Sequence, residues 1–208
     1  MIKLEIKKNI FSFMFVISVF LLYIVFMLGD SGNVLLGDVS TTILGAIWNK
    51  YHGNWQTCID SSCFLRMYSM WTDNSYLPVL APVLCGLPAL INYFGETETG
   101  NKKFMLSRCS QQQYYIAKII GNIISAVMIV LIAVSLYYIS LLFFFDRTPI
   151  HNEEFINIYF ILSGEMVESG REISSIVIFW NLFKGVLYFC IYAVQSASFC
   201  MLMAILCR

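Results

Sequence analysis

Residues 10–28 read IFSFMFVISVFLLYIVFML, and no side chain in that run carries a formal charge. The run is about 19 residues long, and a helix needs roughly 20 apolar residues to cross the hydrocarbon core of a bilayer. Secretory signal peptides have shorter apolar regions, about 7–15 residues, that end in a small-residue cleavage site. Gly29-Asp30-Ser31-Gly32 matches such a site poorly. The stretch reads as an uncleaved first membrane helix, with Lys3, Lys7 and Lys8 before it.

Three further runs, at residues 76–94, 111–145 and 185–206, are similarly apolar. The expected fold is all-α: a polytopic membrane protein with about four transmembrane helices in a single domain over residues 1–208. Composition agrees. The chain is 59% hydrophobic and 12% charged, whereas soluble domains carry about a quarter charged residues and under half apolar ones. Polar segments at 29–75, 95–110 and 146–184 join the spans. In the first of these, Leu35, Val39, Ile43 and Ile47 recur at helical spacing, and Trp48, Tyr51, Trp55, Tyr68 and Trp71 follow. An interfacial helix and a lid both fit that pattern.

Charge placement sets the orientation. With the N-terminus inside, the short cytosolic segments hold Lys3, Lys7, Lys8, Lys102, Lys103, Arg108, Lys118 and Arg208 against Glu5, Glu96 and Glu98. The longer outer segments hold Lys50, Arg66, Arg147, Arg171 and Lys184, together with most of the acids. A multi-pass protein of the bacterial plasma membrane, with its N-terminus in the cytosol, is expected.

Several chemistries find no support. Thirteen basic residues balance thirteen acids, so bulk charge suggests no nucleic-acid partner. No phosphate-binding G-x-x-x-x-G-K-[ST] loop or H-E-x-x-H pair is present. His52 and His151 lack ligand-spaced companions, and Glu153-Glu154 reads as a surface pair. No enzyme activity, metal or cofactor is expected. The apolar cores contain no Asp or Glu, which disfavours ion-driven transport and an intramembrane enzyme. Asn92, Asn122 and Gln195 read as helix–helix hydrogen-bonding groups. Cys85, Cys190, Cys200 and Cys207 read as small apolar packers. Cys58 and Cys63 frame a short outer loop where an oxidising exterior would allow a disulfide.

The second span carries Pro78, Pro82 and Pro88. Each interior proline removes a helical hydrogen bond, tolerated in a membrane where neighbours satisfy the freed carbonyls. The third run exceeds one crossing, so its polar start, residues 111–118, should project into the cytosol. Ser110 and Gln113 form a capping signature there.

The stretch from the second span into the third resembles the permease subunits of bacterial ABC-2-type ABC transporters. Glu96 and Gly100 match an E-x-x-x-G turn after the second helix, Ser107-Arg108 a short S-R pair, and Tyr114 and Lys118 a Y-x-x-x-K start to the third helix. The resemblance implies a subunit that forms half of a substrate path, most often for export. It implies a separate ATPase subunit and a second permease chain, identical or not, with membrane lipid around them. It also implies a cytosolic coupling segment over about residues 96–110. The coupling residues would be Glu96, Gly100, Phe104, Met105, Leu106, Arg108, Tyr114 and Lys118. Phe104, Met105 and Leu106 offer an apolar patch ringed by Lys102, Lys103 and Arg108, a composition suited to docking a partner or to lipid headgroups. The family normally has six helices, so four here imply a chain lacking the last two. The rival reading is a non-transporting membrane protein such as an immunity or assembly factor. A neighbouring ATPase gene would separate the two.

Overall fold

A computed structural model describes residues 2–29, 43–51, 67, 76–144 and 175–206. Every extended regular element among them is an α-helix. The helices are α1 (Ile2–Ile10), α2 (Phe13–Met27), α3 (Ile43–Tyr51), α4 (Leu77–Glu98), α5 (Asn101–Leu106), α6 (Gln111–Phe144) and α7 (Ser175–Leu206). Three are long and apolar enough to cross a membrane: α4, α6 and the Leu182–Leu206 part of α7. A fourth span results if α1 and α2, bent by 57° at their junction, count as one.

That bend corrects the first reading. The apolar run is not one helix from residue 10. Ser12 breaks it, because its hydroxyl donates to the Asn9 carbonyl at 2.8 Å and accepts from the Phe15 amide at 3.2 Å. The second bond is an N-cap on α2. The last predicted boundary also moves. α7 starts at Ser175, so residues 175–184, assigned to an outer loop, are helical. The sequence there, SIVIFWNLFK, is strongly apolar. Lys184, expected in the loop, sits one turn beyond Trp180 with its ammonium 5.8 Å from the indole ring. The calls at Cys58 and Cys63, and most of the outer amphipathic segment, lie outside the described residues; α3 carries its Ile43 and Ile47.

The chain forms two compact units. The first comprises Met1–Val25, Tyr76–Ser135 and Tyr188–Arg208. Small residues line its helix contacts: Ala81, Cys85 and Ala89 on α4, Ala117, Ala126 and Ala133 on α6, and Ala193 and Ala197 on α7 are all buried. Small side chains let helix backbones approach in lipid, where van der Waals packing replaces the hydrophobic drive between helices. A Cβ placed on Gly86 would stand 3.6 Å from Cys200 Cβ and 3.7 Å from Ala197 Cα. Pro82 of α4 follows the expected logic. Pro82 has no amide proton to give the Pro78 carbonyl one turn back, and the Tyr192 hydroxyl of α7 donates to that carbonyl at 2.7 Å. Outward faces are apolar, as at Phe13, Val16 and Phe20 on α2.

The second unit comprises Phe26–Ser75 and Leu136–Leu187. Its described core includes Phe26 and Tyr137, with ring centres 5.7 Å apart, and buried Ile43 and Leu141.

Candidate functional site

The chemistry gathers at one end of the first unit, where three helices present polar residues four apart. Residues i and i+4 share a helix face. On α1 the pair is Glu5 and Asn9, on α4 it is Asn92 and Glu96, and on α6 Tyr114, Lys118 and Asn122 continue the series. Glu5, Asn9, Glu96, Tyr114, Lys118 and Asn122 are buried.

Lys118 is the hub. Its ammonium lies 2.7 Å from Glu5 Oε2 and 2.7 Å from Glu96 Oε1. Lys8, about one-third exposed at 37%, pairs with the same Glu96 oxygen. The Tyr114 hydroxyl donates to Glu96 Oε2 at 2.8 Å. Two carboxylates thus meet two ammonium groups, and the cluster is formally neutral. Burial of a lone carboxylate would cost several kcal/mol, so pairing is what makes the arrangement tenable. Two acceptors of the cluster remain open: Glu5 Oε1 and Asn122 Oδ1 are buried without a hydrogen-bond partner among the described residues.

A layer of amides flanks the charges. Asn92 Nδ2 donates to Asn9 Oδ1 at 2.9 Å, and Asn122 Nδ2 donates to the Ala197 carbonyl at 2.9 Å. These two asparagines make the helix–helix bonds expected of them, whereas Gln195 is exposed. Close approach of α1 depends on Gly121, where a Cβ would stand 3.2 Å from Glu5 Cβ.

Beyond Glu96 the chain turns. Thr99 bonds back to the Gly95 carbonyl through its amide at 3.0 Å and its hydroxyl at 2.7 Å. Gly100 follows in the left-handed region with φ 73°, a conformation that a side chain resists. α5 starts there. Its helical turn divides the expected apolar patch. Met105 and Leu106 are half-buried against the cluster of Tyr93, Tyr114 and Met201. Phe104 is 57% exposed, with the Arg108 guanidinium 4.2 Å from its ring centre. Lys102 Nζ donates to Tyr93 Oη at 3.3 Å. Partial desolvation works against its ammonium, but Tyr93 and Tyr115 more than offset that, and its pKa is raised. α6 begins with the predicted cap, as the Gln113 amide donates to the Ser110 hydroxyl at 3.3 Å.

The eight residues singled out from the sequence therefore separate by burial. Glu96, Tyr114 and Lys118 lie inside the bundle. Gly100, Phe104 and Arg108 are exposed, and Met105 and Leu106 lie between these extremes. Glu5, Lys8 and Asn9 were missed as members of the charged cluster. Their signal was the Glu5/Asn9 spacing, which places the only acid of α1 on one face with an amide. No protein family, curated protein or solved structure matches the chain.

Proposed function

We propose that this chain is a permease subunit of an ABC-2-type ABC transporter, most naturally an exporter, in a bacterial plasma membrane. Its basic end faces the cytosol, and a separate ATPase subunit and a second permease chain complete the assembly. The observation that supports this reading is a short helix, α5, held between two membrane-length helices with Phe104 turned outward. In this proposal Phe104 and Arg108 form the contact with the ATPase. Glu96, Tyr114 and Lys118 have a different task. They tie α4 to α6 directly behind α5, and Glu5 ties α1 to the same lysine. A push on α5 then reaches three helices as one displacement, because packed elements joined by paired charges move together.

Co-purification of the ATPase with Phe104→Asp tests the proposal. The substitution puts a charge into the contact while leaving the buried cluster untouched. An unpaired charge in a desolvated interface costs several kcal/mol, so association should fall at least a hundredfold with membrane insertion unchanged. Full retention of the ATPase would remove α5 as the contact and favour a non-transporting membrane protein.

A further inference from the structure

α1 is amphipathic with its polarity reversed. A helix lying on a protein in water turns its apolar face inward. α1 instead buries Glu5 and Asn9 and leaves Ile2, Leu4, Lys3 and Lys7 exposed. Phe11, at the bend into α2, is 81% exposed. The acid of this helix is consumed by Lys118, so its outward charge is wholly positive. Directly beyond the bend, α2 presents Phe13, Val16 and Phe20 outward. Exposed apolar side chains interleaved with lysines, beside an apolar helix, match the boundary between acyl chains and headgroups.

We infer that α1 is a binding surface for anionic phospholipid headgroups, with Lys3 and Lys7 meeting the phosphates while Leu4 and Phe11 enter the acyl region. Internal pairing of Glu5 is what makes the face selective, since an outward carboxylate there would oppose an anionic lipid. The inference does not rest on the permease reading and survives its failure.

The test uses the full chain in uncharged detergent micelles. Phosphatidylglycerol or phosphatidylcholine is titrated in, and bound lipid is counted by native mass spectrometry. Phosphatidylglycerol should bind preferentially. Each lysine near an anionic surface contributes about fivefold in affinity, so K3Q/K7Q should weaken phosphatidylglycerol binding roughly 25-fold and leave phosphatidylcholine unchanged. Lys184→Gln, which removes one charge from α7, should have no effect. Equal binding of the two lipids overturns the inference, as does a preference that persists in K3Q/K7Q or falls equally in Lys184→Gln. Complete displacement by inorganic phosphate would identify a site for the free anion and also overturn it. Loss of a protein partner from K3Q/K7Q with lipid preference intact would assign the face to a protein instead.

Discussion

Lys118 Nζ lies 2.7 Å from Glu5 Oε2, although 113 positions of sequence separate the two residues. Lys118 is 3% exposed and Glu5 0%, so water screens neither charge. Lys118→Met leaves Glu5 and Glu96 buried without their shared cation. Breaking such a pair from one side typically costs ~3–5 kcal/mol, and unfolding in mixed micelles should show a loss of that order. Adding Glu5→Gln to Lys118→Met removes one orphaned charge. The double variant should therefore be clearly more stable than the sum of the single losses predicts. Additive losses would show that the pair is not coupled.

Two glycines should be costly to replace with alanine and a third should not. Gly121→Ala brings a methyl group to 3.2 Å from Glu5 Cβ, which is main-chain-proximal and cannot swing aside. α1 must shift, with a loss of about 1–2 kcal/mol from strain and disturbed pairing. Gly100→Ala forces a side chain into the left-handed region at φ 73°, for a loss of about 1–2 kcal/mol. Gly95 lies within α4 with nothing inside 4 Å of an added Cβ. Gly95→Ala should be neutral or stabilising by up to about 1 kcal/mol. Thermal unfolding of the three variants in one detergent gives the ranking.

Tyr192→Phe removes the donor to the Pro78 carbonyl. Hydrogen bonds between membrane helices are worth about 0.6 kcal/mol on average and at most about 1.7, so a loss in that range is expected. Pro82→Ala restores an amide one turn beyond Pro78. In that background Tyr192→Phe should cost much less. An equal cost in both backgrounds would mean that Tyr192 stabilises α4 by packing alone.

Orientation is open to direct labelling. With native cysteines replaced, a cysteine at Asn101, exposed on α5, should resist an impermeant thiol reagent added outside cells. One at Asn54 should react. The opposite pattern would invert the chain and place α5 on the wrong face for a cytosolic ATPase.

The apolar helices were legible because lipid-facing and packed surfaces both demand long uncharged runs: two of the predicted spans overlap α4 and α6 closely, and a third covers most of the Leu182–Leu206 part of α7. The break at Ser12 is a local event that the sequence does carry, as a Ser followed three residues later by the amide it caps. It was masked by apolar residues on both sides. The buried charges were harder. Glu5 looks like one acid among surface lysines until Lys118 is placed beside it, and no local pattern spans that separation. Periodicity did contain part of the answer: Tyr114, Lys118 and Asn122 fall every fourth residue on one face of α6. Such a stripe marks a polar face turned toward the interior of the bundle. Likewise, Phe104, Met105 and Leu106 are consecutive, so a helix must point them in different directions, and only Phe104 remains well exposed.

The bond between Tyr192 and Pro78 also sets a schedule for biogenesis. The two residues are 114 positions apart, and ribosomes add roughly 5–20 residues per second. For roughly 6–23 s after Pro78 is made, its carbonyl has neither an amide from Pro82 nor a hydroxyl from Tyr192. A bare carbonyl in hydrocarbon costs several kcal/mol. Pro78 lies in the first turn of α4, so nascent α4 should hold that end near water until the tyrosine of α7 arrives.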